Sequence, residues 1–439
     1  MKDVVPNPPG TVSQAPARAR VTTDNQPQSE ESDASVSLAP WASLRHRDFA
    51  LFFCAAFFIN TAQHMRQTQN FYQVYELSGS AFQLGLTGLA QAIPLFVVGL
   101  FGGTLADMFD RRKLILLTLI GNFLIAGGLA VLTLTGRIQV WHILVGTGLT
   151  SVVHIILQPA RMALIYRLVP RSHLMNAVSL HSSVGQGAHF IGPMLAGLSL
   201  AWTSAGNAYL LNALCYVPAT AGIFLLRPAA VPEGARRERM SIKSIMGGVE
   251  FLRSQRVLFA LSLMDLAIIG VGWYQPLLPV FAKDIFRVGP APFGMLASAP
   301  AIGGMLAIFA LLVAGDIKHK GLVALWAFLA YSLCVGVFAV TENFWLALAL
   351  VGVLGASNSV QAVMRQTAFQ LLTPDHLRGR TFAVFTIFSH SAGALGAMEV
   401  GFAAALLGAP GALLFGSAAG IVLTVLFWAT HSELRHFRS

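Results

Sequence analysis

Long apolar stretches, separated by short charged segments, make up most of this chain. A helix that crosses a bilayer needs about 20 consecutive apolar residues, and twelve stretches approach or exceed that length. They cover residues 49–77, 82–106, 114–135, 140–163, 176–201, 207–226, 257–281, 292–314, 322–340, 344–371, 381–407 and 411–430. Because backbone amides in lipid must be hydrogen-bonded internally, each stretch is predicted to be a helix. The pattern predicts an all-α polytopic membrane protein with twelve transmembrane helices.

The remaining segments divide the chain into five parts. Residues 1–44 lack apolar periodicity, which predicts a disordered cytoplasmic tail. Residues 228–256 separate two sets of six spans. Their basic residues and helically spaced apolar residues predict a cytoplasmic linker with an amphipathic helix. The predicted bundles are then residues 45–227 and 257–430, and residues 431–439 form a second cytoplasmic tail.

Composition and charge placement agree with this interpretation. Hydrophobic residues make up 55% of the chain and charged residues only 11%, which is typical of a membrane protein. With a cytoplasmic N-terminus, nearly all Lys and Arg residues fall on the cytoplasmic side, and only Arg137, Lys283 and Arg287 fall outside. This asymmetry explains the formal net charge of +10 without a nucleic-acid partner.

The two sets of spans repeat each other. Arg161 and Arg365 each stand nine residues before a proline, and one common offset relates both arginines and both prolines. The same offset pairs Gly192 with Gly396 and Gly197 with Gly401. An internal duplication of this kind predicts two six-helix bundles related by an axis along the membrane normal.

The loop between the second and third spans reads G-G-T-L-A-D-M-F-D-R-R-K over residues 102–113. It resembles the loop between helices 2 and 3 of the major facilitator superfamily, usually written G-x-L-a-D-r-x-G-r-k. Met108 and Asp110 depart from that pattern. The resemblance implies a conformational latch between the two halves. Its residues would be Gly103, Asp107, Arg111 and Arg112, with Asp316 in a degenerate second copy.

Two further resemblances point to one branch of the superfamily. Gly192, Pro193 and Gly197 lie in a segment similar to the glycine-proline motif of facilitator antiporters that export drugs. Residues 44–49, 159–170 and 371–380 resemble the branch of drug-proton antiporters that contains enterobactin-type siderophore exporters. The resemblance implies export from the cytoplasm through a bacterial inner membrane, driven by proton entry as the two bundles rock around a central site.

Polar residues concentrate on one arc of the first span, about half of the helix at 100° per residue. They are Asn60, Gln63, His64, Arg66, Gln67 and Asn70. We expect this face to line a central aqueous cavity. The alternative is a seam of hydrogen bonds between helices. Arg66 favours the cavity, because a guanidinium in a membrane needs water, a partner or an anion.

Ionisable residues in other spans are candidates for proton transfer. Asp265 could carry a proton or meet a cationic substrate, and the alternative is a structural pair with a cation of the other half. Glu399 could have a special role in transport, or it could be one member of a charged pair at a periplasmic gate. Histidines inside the spans are secondary candidates. They are His64, His154, His181, His189 and His390.

The function that the resemblance implies is secondary active transport by a monomer, with protons coupled to export of a drug-like compound or siderophore. No nucleophile with a base, phosphate-binding loop or metal-ligand spacing appears, so no enzyme, cofactor or metal site is expected. Two alternatives stay open. One is proton-coupled uptake of a small anionic metabolite, and the other is a receptor or scaffold in which the N-terminal tail or central amphipathic helix binds a partner.

Overall fold

The computed structural model describes residues 41–108, 111–227, 242–315 and 317–436, and within these ranges some side chains are not described. The described residues form α-helices and short 3₁₀ or π turns, without a strand among them. The first helices are α1 (Arg47–Ser78), α2 (Ala81–Met108), α3 (Arg111–Leu134), α4 (Val140–Leu168), α5 (Leu174–Trp202) and α6 (Ala205–Phe224). The prediction of an all-α fold is confirmed.

The second part of the chain repeats this succession with interruptions. Its helices are α7 (Ile242–Ser254), α8 (Arg256–Val271), α9 (Leu278–Val280), α10 (Pro290–Ala314), α11 (Lys320–Val340), α12 (Phe344–Leu372), α13 (Asp375–Thr430) and α14 (Ser432–His436). Within α13, Gly408 adopts a φ of 74°, which breaks the helix between the eleventh and twelfth predicted spans. By length and apolar character, six helices of the described residues qualify individually as membrane spans.

Two local features differ from the sequence predictions. The seventh span was predicted as one helix, but α8 ends at Val271 and the chain continues through short 3₁₀, α and π turns to Ile285. Pro276 and Pro279 lie in those turns, and neither can donate a backbone hydrogen bond. Residues Ala42–Arg45, part of which was predicted to belong to the tail, form a 3₁₀ turn, and the backbone N–H of Ser43 donates to Asn176 Oδ1 at 3.1 Å.

We call α1–α6 the N-half and α8–α13 the C-half. Inside the N-half, α1 packs against α5 and α6, and inside the C-half, α10 packs against α12. The halves meet where α2 packs against α13 and where α5 packs against α10. Both crossings depend on paired glycines, since a Cβ on Gly401 would lie 2.3 Å from Gly85 Cα and one on Gly197 2.5 Å from Gly294 Cα.

The succession of helices defines two sides of the molecule. The terminus side is where α1 begins and α13 ends, and the opposite side is where α1 ends and α2 begins. Gly85 lies near the start of α2, and Gly197 lies near the end of α5. Both glycine crossings are therefore close to the opposite side.

Candidate functional site

A polar cavity of about 260 Å³ lies against α1, α2 and α4. It is lined by Gln63, Arg66, Gln67, Asn70, Phe71, Thr87, Gln91, Thr147, Thr150, Ser151, His154, Ile155 and Ala394. Amides, hydroxyls and a guanidinium thus surround a space inside otherwise apolar helices. The structure brings the predicted residues Gln63, Arg66 and Gln67 together in this cavity.

The polar arc of α1 is in fact two adjacent faces. The polar cavity residues of α1, Gln63, Arg66, Gln67 and Asn70, span about 100° of the helix, whereas Asn60 and His64 lie about 70° and 110° from the centre of that face. Asn60 Nδ2 donates to the backbone oxygen of Ala56 at 2.7 Å and does not line the cavity. His64 faces α5, where its ring contacts His189.

Side chains that line the cavity form hydrogen bonds with residues of the neighbouring helices. Arg66 Nη1 donates to Asn122 Oδ1 on α3 at 3.1 Å. Asn70 donates to Thr147 Oγ1 at 3.0 Å and accepts from the hydroxyl of Tyr209 at 2.8 Å. These partners come from three neighbouring helices, so the polar groups are held in place before any ligand arrives.

The wall formed by α4 was not identified from the sequence. Thr147, Thr150, Ser151 and His154 follow the i, i+3, i+4, i+7 spacing of one helix face. That spacing of polar residues within an apolar span was the signal that could have revealed it. Gln91 of α2 is a more isolated residue, and only packing shows that it joins the same space.

The charge inside the cavity is positive. Arg66 supplies a permanent cation, and no carboxylate occurs among the described residues that line the cavity. Nor does any described acid form an ion pair with Arg66; its described partner is the neutral amide of Asn122. A guanidinium paired only with an amide keeps donors and charge for an anionic or hydroxyl-rich ligand.

Asp265 belongs to a different site. The residue is 3% exposed and its carboxylate forms an ion pair with Arg365 of α12, while Ser389 Oγ donates to Asp265 Oδ2 at 2.7 Å. The Arg365 guanidinium also lies 4.5 Å from the ring centroid of Phe385. The alternative of a structural ion pair therefore describes Asp265, but its cation comes from the same half and not from the other.

Side-chain contacts join the halves at the opposite side. The hydroxyl of Tyr75 donates to Asp284 Oδ2, and Lys283 Nζ lies 3.7 Å from Glu76 Oε1 and 4.9 Å from the ring centroid of Tyr72. The rings of Tyr72 and Phe293 are 5.3 Å apart. We call these residues, together with the two glycine crossings, the outer closure.

The glycine-proline segment of α5 has two structural roles. Gly192 lets α5 approach α1, because a Cβ there would lie 2.7 Å from His64 Cβ. Pro193 lines a small pocket beside His64, and Gly197 forms the crossing with α10. The segment therefore connects the packing inside the N-half with the contact between the halves.

The structure describes the remaining predicted site residues less completely. Arg112 Nε donates to the backbone oxygen of Ile223 at 3.2 Å, so it caps the end of α6 within its own half. The backbones of Gly103, Asp107, Arg111 and His390 are helical, but their side chains, and all of Asp316, lie outside the described structure. Glu399 is half-buried on α13 and does not line the polar cavity.

A polar cavity among membrane-spanning helices, in a chain whose two helical halves meet at one side, is typical of a multi-pass membrane transporter. Comparison with known families gives the same class. Residues 38–439 match the model of the transmembrane secretion effector family. The chain belongs to that family, and the predicted membership of the major facilitator superfamily is confirmed.

Curated relatives of similar length support this assignment. The chain is 24% identical over 364 residues to the staphyloferrin A transporter of Staphylococcus aureus, covering 81% of this chain and 89% of that protein. It is 27% identical over 384 residues to the enterobactin exporter EntS of Escherichia coli K12, covering 83% of this chain and 87% of the exporter.

Solved structures show the same fold at low identity. The nucleoside transporter NupG superposes with a TM-score of 0.69 at 13% identity, covering 89% of this chain and 99% of NupG. A bacterial homologue of the human lysosomal transporter Spinster, in an inward-facing and unoccupied conformation, gives 0.64 at 15% identity, with 89% and 96% covered. At such identities the likeness concerns the fold.

Proposed function

We propose that this protein exports a hydroxyl-rich, anionic small molecule of the siderophore class from the bacterial cytoplasm, in exchange for protons. The observation that carries the proposal is the polar cavity with its single permanent cation, Arg66, and no described carboxylate in its lining. Relatives that are a staphyloferrin A transporter and an enterobactin exporter favour the same substrate class.

The chemistry of the cavity suits such a substrate. Gln63, Gln67 and Gln91 offer amides that both donate and accept, while the threonines of α4 offer hydroxyls. Arg66 can bind a carboxylate or an ionised catechol through two parallel hydrogen bonds. A cationic drug would meet Arg66 without a compensating acid in the described lining, so we expect cations to be poor substrates.

The closed opposite side supports alternating access. Hydrogen bonds, ion pairs and ring contacts between described residues of the two halves are found at the outer closure. We assign this side to the cell exterior and both termini to the cytoplasm, following the distribution of basic residues. With that assignment the outer closure is the one expected of an inward-facing state, and export requires it to separate while the terminus side closes.

Everted membrane vesicles from bacteria that produce the chain would test the proposal. Iron-free enterobactin and iron-free staphyloferrin A serve as probes, and ethidium serves as the cationic comparison. We expect an acid-inside gradient to drive accumulation of an anionic probe, and a protonophore to abolish it. Arg66→Gln should reduce this accumulation, whereas Arg137→Gln, which changes an exposed arginine outside the cavity, should not.

Accumulation of ethidium alone would contradict the proposed substrate class. Absence of flux for every probe, with the protein present in the membrane, would instead favour a receptor or scaffold function.

A second candidate function follows from the same cation. Arg66 could equally bind a small anionic metabolite that enters the cell together with protons. Right-side-out vesicles distinguish the two directions, since only an importer accumulates the anion there when the outside is acidic. We expect the single chain to carry either activity without a partner copy, because the fold places the cavity inside one chain.

A further inference from the structure

Two half-buried histidines lie in contact midway along α1 and α5. The rings of His64 on α1 and His189 on α5 have centroids 4.7 Å apart and planes inclined by 55°. Gly192 permits this contact, because any larger residue would collide with α1 at His64 and Met65. The sequence therefore places a glycine where two imidazoles must meet.

The histidine pair borders a pocket of about 30 Å³ between the halves. The pocket is lined by His64, Gln67, Thr68, Phe71, His189 and Pro193 of the N-half and by Gln275, Leu278, Phe293 and Ala297 of the C-half. Such a volume holds about one or two water molecules. Because residues of both halves enclose it, separation of the halves at the opposite side would open this pocket to external water.

The pocket and the polar cavity are neighbours. Gln67 and Phe71 line both spaces, so these two side chains form the partition between them. On α1 the cavity is lined by residues between Gln63 and Phe71, and the pocket by residues between His64 and Phe71, so the two spaces lie side by side at the same depth. The histidine pair is therefore separated from the polar cavity only by the side chains of Gln67 and Phe71.

The charges that face the pair come from the N-half. His154 of α4 interacts electrostatically with His64, whereas Arg66, two residues later on α1, points to another side of the helix and lines the polar cavity. The C-half residues that line the pocket are uncharged, and no carboxylate is among the described lining residues. Two imidazolium rings in contact repel each other, so the pair accepts a single proton.

Resting on the proposed proton-coupled export, we propose that His64 and His189 form the site at which the coupling proton and a hydroxyl group of the substrate compete. A neutral imidazole has one nitrogen that accepts a hydrogen bond and one N–H that donates. A catechol or hydroxyl-acid O–H can donate to the accepting nitrogen. Protonation occupies that lone pair, so the hydroxyl must leave.

The protons taken up and released at the pair balance over one transport cycle. In the outward-open state, a proton from outside binds the ring nitrogen as the substrate hydroxyl departs. In the inward-facing state, that proton passes to water on the cytoplasmic side as the next hydroxyl binds. One N–H bond forms and one breaks, and one proton enters for each substrate exported.

Asp265 is poorly placed for this role. Its carboxylate is already bound by Arg365 and by the hydroxyl of Ser389, and all three groups lie inside the C-half. The carboxylate is therefore engaged within one half, away from the partition formed by Gln67 and Phe71.

Proteoliposomes containing the full chain and iron-free enterobactin test this assignment, with a trapped fluorescent indicator that reports proton movement. The variants are His64→Gln and His189→Gln, and His431→Gln near the end of α13 is the control. We expect enterobactin exchange without a pH gradient to be weaker but still measurable in both pair variants, because the glutamine carbonyl still accepts a hydrogen bond. Accumulation driven by the gradient should fall about tenfold or more, with no change in the control.

The outcomes separate the two proposals. A wild-type chain that moves neither enterobactin nor protons refutes the proposed function. A coupled wild type with equally coupled pair variants refutes only the histidine assignment. If the variants lose exchange as well as accumulation, the rings have a structural role and the assignment is overturned.

A measurement on the unmodified protein avoids any folding defect. Diethyl pyrocarbonate modifies neutral imidazoles, and mass spectrometry locates the modified histidines. We expect enterobactin to protect His64 and His189 but not His431. Equal modification with and without enterobactin would overturn the assignment.

Discussion

Asp265→Asn is expected to destabilise the folded protein by about 3–5 kcal/mol, because it leaves Arg365 as a buried cation without a counter-charge. The side chains of Asp265 and Arg365 are 4% and 12% exposed. For unit charges about 4 Å apart in a medium of effective dielectric constant 20, the Coulomb energy is about 4 kcal/mol, in agreement with that range. The Asn side chain can still accept from Ser389, so the lower end of the range is the better expectation.

The assay is equilibrium unfolding in mixed micelles with a denaturing detergent, followed by tryptophan fluorescence. A double variant, Asp265→Leu with Arg365→Met, removes both charges and should recover most of the lost stability. Glu433→Gln is a matched control, since its partner Arg256 is 80% exposed and that ion pair contributes little.

Equal destabilisation by Asp265→Asn and Glu433→Gln would refute the reasoning. So would a double variant whose loss equals the sum of two single losses, since residues in a buried pair must couple. Retention of proton coupling by folded Asp265→Asn protein would further separate this ion pair from transport.

Three other changes test the cavity and the outer closure. Gly197→Leu should hold the halves apart at the opposite side, because even a Cβ would lie 2.5 Å from Gly294 Cα. Cysteines placed beside the crossing should then react faster with impermeant thiol reagents. Arg66→Gln should weaken binding of iron-free enterobactin by about 1.5–3 kcal/mol, measured by calorimetry, with a smaller effect on neutral ligands. Tyr75→Phe removes the hydrogen bond to Asp284 and should shift the equilibrium toward outer opening by about 1 kcal/mol, measured by distances between spin labels. Slower thiol labelling, unchanged enterobactin affinity or unchanged label distances would contradict the respective expectation.

The sequence predicted the transporter fold because apolar length and charge placement are properties of single segments. It also predicted one wall of the cavity, since Gln63, Arg66 and Gln67 follow helical spacing on α1. The sequence could not show that His64 lies on a different face of α1 from the cavity residues. The packing of α5 against α1 determines which part of the polar arc is covered.

Contacts between distant segments were beyond the sequence. Asp265 and Arg365 lie on different helices, and nothing local to either residue identifies the other as its partner. The contact between His64 and His189 likewise depends on how closely Gly192 brings two helices together. Each of these pairings depends on how the helices pack, and hydrophobic periodicity carries no information about it.

The lining of the polar cavity is markedly unequal between the halves. Among its described residues, only Ala394 comes from the C-half, and it offers a methyl group. Ligand choice would then be encoded in the first six spans, while the last six would act mainly as a movable cover. Hybrids that keep the first six spans and borrow the last six from a relative should therefore inherit the selectivity of their N-terminal parent.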